Sequence, residues 1–206
     1  YGIPRIKAGS ELDAFFAQGF ATAQDRLWHM EYDRRRGSGR WAEAVGQQGV
    51  AQDTLMRKFR LTASAKGDYQ VMDPHTKSVF DAYASGVNAF IEKGDALPIE
   101  YQITGLEPEP WQPWDGLIAY KVRHIFMGVF ESKVWRARMV RDMGPKAAGR
   151  LFPGVEPGYL MILPPGSTSP GPLDEGLKEL AEGASDLNYL SEMDSGSNSW
   201  VLGGAE

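Results

Sequence analysis

The residues best equipped for chemistry lie near the end of the 206-residue sequence, in Gly196-Ser197-Asn198-Ser199-Trp200. A serine hydroxyl is a weak nucleophile unless a base sits within hydrogen-bond reach. A serine at a chain terminus carries such a base in its own α-amino group. The ordinary pKa of that amine, about 7.7–8.0, leaves an appreciable fraction unprotonated near neutral pH. Inside an uncut chain the amine is tied up in the Gly196–Ser197 amide. Attack of the Ser197 oxygen on the Gly196 carbonyl would give an ester that water opens, exposing a catalytic serine that activates itself. Glycine before the nucleophile helps, because it lacks a Cβ and tolerates crowded backbone geometry. Taken alone, the same residues also fit a polar turn entering the strand-like Trp200-Val201-Leu202-Gly203-Gly204.

The elements that must position this segment are mostly helical. Ser10 with Asp13 three residues on matches a capping pattern, and Leu12, Phe15, Phe16, Phe20, Ala23, Leu27 and Met30 follow at spacings of three and four. The spacing predicts one long helix over about residues 11–36. Arg34, Arg35 and Arg36 then fall in its last turn, where cations favour the helix dipole, and Gly37 ends it. A short helix is expected from Arg40 to Val45, another from Val50 to Phe59, and a third from Asp73-Pro74 to Gly94. The last carries a stripe of Val79, Phe80, Tyr83, Val87, Phe90 and Ile91. A proline-rich connector over Glu107 to Pro113 leads into an apolar helix from Asp115 to about Phe130, with Gly128 as a candidate kink. The helix either runs on or kinks there, Trp135 to Met143 continues it, and Gly144-Pro145 breaks it. The stretch from Phe152 to Pro172 is rich in proline, glycine and serine and reads as loop or linker; Leu173 to Leu190 reads as an acidic amphipathic helix.

Several separated blocks occur in an order that resembles the penicillin acylase family. Tyr1-Gly2-Ile3-Pro4-Arg5-Ile6, which reads as a strand, resembles the start of that family's α chain. So do Phe16-Ala17-Gln18-Gly19-Phe20-Ala21, Ala23 to Glu31, and Gly39-Arg40. Gly105-Leu106-Glu107-Pro108-Glu109-Pro110-Trp111, with Pro113 and Asp115 after it, resembles the lead-in to a substrate-lining helix. Ser197-Asn198-Ser199-Trp200 is similar to the Ser-Asn-x-Trp that opens the β chain.

The resemblance implies an α+β fold of the N-terminal-nucleophile hydrolase type, an αββα assembly to which this portion contributes mainly helices and a few strands. It also implies a single precursor cut autocatalytically between Gly196 and Ser197, with Ser197 as the catalytic nucleophile. On that reading residues 1–151 are a helical α-chain region, 152–196 the end of the α chain or a linker propeptide, and 197–206 the start of a β chain. The partner is then that β chain, which holds the oxyanion-hole groups. The substrate is an acylated small molecule such as a β-lactam antibiotic or an acyl-homoserine lactone. Counting on from the Trp-x-Pro-x-Asp block, the family's acyl contacts fall near His124, Met127, Gly128 and Phe130. By residue type, Met127 and Phe130 suit an apolar or aromatic acyl chain and equally suit a core. No cofactor is expected for catalysis. A structural calcium is implied by the family, with Glu131 as its α-chain carboxylate, although Lys133 falls at an equally good position and cannot bind a cation.

Composition narrows the field. A net charge of −5, from 27 acidic and 22 basic residues, argues against a nucleic-acid partner. The absence of cysteine removes disulfide and thiolate chemistry, and no run of apolar residues is long enough for a membrane span. A periplasmic or secreted location is expected, with any export signal preceding Tyr1. Two function classes remain: the amidohydrolase precursor just described, and a catalytically inactive helical interaction module in which Gly196-Ser197 is only a turn.

Overall fold

The computed structural model describes residues 3–126 and 130–151, together with 177, 178, 180, 182 and 183. Ser10 Oγ accepts the Asp13 backbone N–H at 3.1 Å and starts α1, Glu11–Ser38. The helix bends at Arg26 (φ −148°, ψ 40°) and runs two residues beyond the expected end. Gly39, not Gly37, supplies the left-handed cap at φ 66°, which lets Arg40 N–H close back on the Arg35 carbonyl.

Short helix α2, Ala42–Val45, and a 3₁₀ turn, Gly46–Gly49, connect to α3, Val50–Phe59. Asp53 of α3 reaches back so that its two carboxylate oxygens accept the N–H groups of Trp41 and Ala42, at 2.8 and 2.7 Å. This satisfies the otherwise orphaned donors at the start of α2. Helix α4, Leu61–Val71, precedes α5, Pro74–Lys93. Asp73 caps α5 through the Thr76 N–H, and proline occupies its first position. Then come α6, Ile99–Thr104, the proline-rich connector, α7, Asp115–Phe126, α8, Phe130–Met143, and α9, Pro145–Leu151. The Gly144-Pro145 break separates α8 from α9, with proline again at a helix start.

Helix α1 packs along α5 on one side and against α7 on another. The main core joins Ala23, Leu27 and Met30 of α1 to Ala84, Val87 and Phe90 of α5, closed by Tyr101 of α6 and by Trp111. Asn88 of α5 locks the connector onto this core: its amide donates to the Trp111 carbonyl at 2.9 Å and its oxygen accepts the Trp111 N–H at 2.7 Å. A second cluster packs Leu55 and Met56 of α3 and Leu61 of α4 against Val122 of α7.

Among the described residues the fold is helical throughout and none lies in a strand, so the expected N-terminal strand does not form over residues 3–8. An extended segment becomes a strand only by pairing its backbone with a neighbour, and nothing described lies alongside as a strand. No helix among the described residues is long and apolar enough to cross a membrane.

Candidate functional site

The last two turns of α1 are enclosed on all sides: Met30, Glu31, Asp33, Arg34, Arg35, Arg36 and Gly37 are all buried. Successive helical residues point about 100° apart, so three consecutive arginines must face three different neighbours. Arg34 faces the connector and α7. It donates to the Pro110 carbonyl at 3.1 Å, the Glu109 carbonyl at 3.3 Å and Asp115 Oδ2 at 3.0 Å, and pairs with Glu31. Its guanidinium also lies 5.2 Å from the Trp111 ring centre. Burial opposes the charge on Arg34, but the carboxylates of Glu31 and Asp115 outweigh it and hold the group above its ordinary range. Asp115 in turn accepts the Gln112 N–H at 2.9 Å, so one carboxylate both shapes the turn before α7 and binds α1.

Arg35 pairs with Glu31, Glu43 and Glu109, and Arg40 bridges the same Glu43 and Glu109. Arg36 lies over the Tyr32 ring and donates to its hydroxyl. The expected basic helix end is present, with Arg35 and Arg36 in the last turn of α1, but burial gives the run a second role that the sequence reading missed. The run is an interior hub of ion pairs that ties α1, α2, the connector and α7 together. The signal for it was present in the acidic residues Glu31 and Asp33 placed up to four positions earlier on the same helix.

Hydrogen bonds from Arg40 bring Glu109 down to about 2 and also lower Glu43, both from an ordinary value near 4.5. A carboxyl depressed on folding adds stability above its unfolded pKa, and that stability is lost as pH falls through the folded value. The unfolding midpoint is therefore expected to decline between about pH 4.5 and 2. In Arg40→Ala this part of the decline should flatten, which denaturant titration at a series of pH values would check. An unchanged pH profile in the variant would contradict the assignment.

Beside the hub, α1, α5 and α7 enclose a groove of ≈ 600 Å³, lined by Met30, Phe80, Tyr83, Trp111, Leu117 and Tyr120 among others. One end is charged. Arg123 Nε donates to Asp33 Oδ2 at 2.9 Å, and another Arg123 nitrogen faces His29 Nε2, which itself lies 3.5 Å from Asp33. Among the described residues that line the groove there is no serine, threonine or cysteine, so these residues supply no aliphatic hydroxyl or thiol nucleophile. What they form is an apolar platform with a fixed charged end.

Of the residues expected to do chemistry, His124 is described: it is exposed on α7, its ring 4.3 Å from that of Tyr120, and it is not part of the groove lining. Phe130 and Glu131 open α8, but their side chains lie outside the described residues. Met127, Gly128, Gly196 and Ser197 lie outside them entirely. Among the described residues no group of three or more acidic or histidine side chains is placed to hold a metal. A lone Glu131 carboxylate supplies only a fraction of the six to eight oxygens calcium requires, so this stretch alone does not make a calcium site.

Residues 1–206 match the penicillin amidase family model, and the chain belongs to that family. It is 39% identical over 166 residues to the penicillin acylase 2 proenzyme of Pseudomonas sp. strain SE83, covering 81% of this chain and 21% of that protein. It is 35% identical over 129 residues to the acyl-homoserine lactone acylase QuiP of Pseudomonas aeruginosa, covering 62% of this chain and 15% of that protein. It is 31% identical over 138 residues to the penicillin G acylase of Escherichia coli, covering 65% of this chain and 16% of that protein. The chain thus spans about a fifth or less of the length of these relatives. Among solved structures, a chain of the thermostable penicillin G acylase from Alcaligenes faecalis superposes with a TM-score of 0.61 at 26% identity, covering 84% of this chain and 94% of that one.

Proposed function

We propose that this chain is the α-chain portion of an acylase precursor that hydrolyses the linear amide of an acylated small molecule. The observation that carries the reading is the family match over residues 1–206, which takes in Ser197-Asn198-Ser199-Trp200 as well as the helical region. Ser197 attacks the Gly196 carbonyl, the peptide bond gives way to an ester, and water releases Ser197 as a new terminus. In the mature enzyme the freed amine accepts the hydroxyl proton as the Ser197 oxygen attacks the substrate amide. The leaving amine takes that proton, and water then frees the acyl group.

Two lengths support processing into separate chains. The chain spans only 21% of a relative called a proenzyme, yet covers 94% of a chain in a solved acylase. In this reading an αββα assembly forms once a β chain, made from the same precursor, supplies the sheets and the oxyanion donors. The groove residues, which include no serine, threonine or cysteine, serve binding and positioning, while His124, Met127, Gly128 and Phe130 line the acyl site. Glu131 contributes to a structural calcium only if later residues complete the site.

The names of the relatives point to β-lactam antibiotics or acyl-homoserine lactones as the substrate class. The periplasm or the exterior is the location that suits such substrates. The test is hydrolysis of phenylacetyl, glutaryl and long-chain acyl amides by the complete processed protein. Turnover of the phenylacetyl or long-chain amide, with the dicarboxylic acyl group disfavoured, is expected from Met127 and Phe130. Absence of turnover on all three would remove the acylase reading.

A further inference from the structure

Helix α7 is fastened to α1 by two ion pairs that start from neighbouring residues. Arg34 takes Asp115, the first residue of α7, and Asp33 takes Arg123, two turns further along. Between them Gly37 lets α7 lie close: a Cβ there would stand 2.5 Å from Ile118 Cγ2 and 3.2 Å from Val122 Cβ. We propose that Arg34 and Arg123 are positioning residues that set which acyl group the enzyme accepts, by fixing the tilt of α7 on α1. The inference rests on the acylase reading above, in which the acyl contacts begin at His124, one residue beyond the second pair.

Packing of Ile118 and Val122 resists separation of the two helices but is non-directional, so it constrains tilt and slide only weakly. Guanidinium–carboxylate hydrogen bonds are directional and supply the missing constraint. Asp33, Arg34 and Asp115 are all buried, which keeps water from the Arg34–Asp115 pair and leaves the half-exposed Arg123 anchored on a buried carboxylate. From Asp115 to His124 a helix rises ~14 Å, and a tilt of about 4° at one end moves the other by ~1 Å. A displacement of that size far from the reacting atoms can cost ~10²-fold in rate. A long acyl chain and a compact one fill the site differently, so the same shift alters their rates unequally. Lysine cannot replace Arg34, which holds two carboxylates and two backbone carbonyls at once.

The experiment uses the complete precursor with Arg123→Gln, Arg34→Lys and, as a control, Asp53→Asn, which weakens the cap of α2. Processing is checked first by gel and thermal stability by calorimetry. The ratio of kcat/KM is then measured for phenylacetyl and long-chain acyl amides of one common amine. Both arginine variants are expected to mature and to shift this ratio by about tenfold or more. Asp53→Asn should lower the melting temperature and leave the ratio alone. Should Arg34→Lys fail to mature, Arg123→Gln, whose side chain is half exposed, decides the matter. Mature Arg123→Gln enzyme with the wild-type ratio overturns the proposal. So does failure of Arg123→Gln to mature, since the pair would then serve assembly and not selectivity. Wild-type protein that is neither cut nor active on either amide would overturn the acylase reading itself, a separate outcome.

Discussion

A precursor carrying Ser197→Ala is expected to stay a single uncut polypeptide and to lose acyl-amide hydrolysis by on the order of 10⁴-fold or more. Alanine has no oxygen to attack the Gly196 carbonyl, so the ester never forms. The amine that would serve as base therefore stays locked in the peptide bond, and one substitution removes nucleophile, base and cleavage together. Ser197→Cys separates these losses, because a thiol can still attack the carbonyl and expose a terminus. It is expected to be cut yet to hydrolyse the amide poorly. Gel analysis and turnover assays on the two variants check both statements, and a Ser197→Ala protein that is cut and active would contradict them.

The second large effect concerns stability. Where α1 crosses α5, a Cβ built on Gly86 would stand 1.9 Å from the Phe16 carbonyl oxygen, and one on Gly19 would stand 2.1 Å from that of Tyr83. The obstructing atoms are backbone, so no rotamer change relieves them. Helix propensity alone would make Gly→Ala favourable by about 0.5–1 kcal/mol. Overpacking costs about 1–3 kcal/mol and sometimes more, and here it must also separate two helices that share the core of Leu27, Val87 and Phe90. Packing wins. Gly86→Ala is expected to lower unfolding free energy by about 3 kcal/mol, whereas Gly67→Ala in α4, where nothing lies within 4 Å of the added carbon, should raise it slightly. Denaturant unfolding of the processed protein compares the two. A Gly86→Ala protein as stable as the parent would show that the helices do not cross this closely.

The same contrast between local signal and tertiary packing explains which elements could be read from residues. Helices α1 and α5 carry periodic stripes and side-chain caps, and their boundaries, like those of α3, fall within about two residues of expectation. The apolar helix after Asp115 is described as α7 to Phe126, and helix is described again as α8 from Phe130 to Met143; the candidate kink at Gly128 lies outside the described residues. Helix α4 is different. Over Leu61–Val71 only Leu61 and Ala65 are buried, and the helix begins at Arg60 in a left-handed conformation (φ 55°), so neither stripe nor cap announces it. The six-residue α6 contributes one buried residue, Tyr101, and was equally silent.

At the site, the pairing of Arg34 with Asp115 joins residues 81 apart in sequence, a partnership that no local pattern encodes. The groove likewise depends on how α1, α5 and α7 converge. Leu12 and Phe16 show the converse: their spacing marks a core stripe, yet both remain about 40% exposed, because only the part of α1 from Gly19 onward is enclosed. The proposed nucleophile rests on another kind of signal. The chemistry of Gly196-Ser197 depends on adjacency in the chain, which a sequence displays directly.

The most direct measurement is the N-terminal sequence and intact mass of the fragments obtained when the complete wild-type precursor is expressed. A fragment beginning Ser197-Asn198-Ser199-Trp200, appearing together with hydrolytic activity, is the expected result. Active material in which Gly196 and Ser197 remain joined would contradict the account.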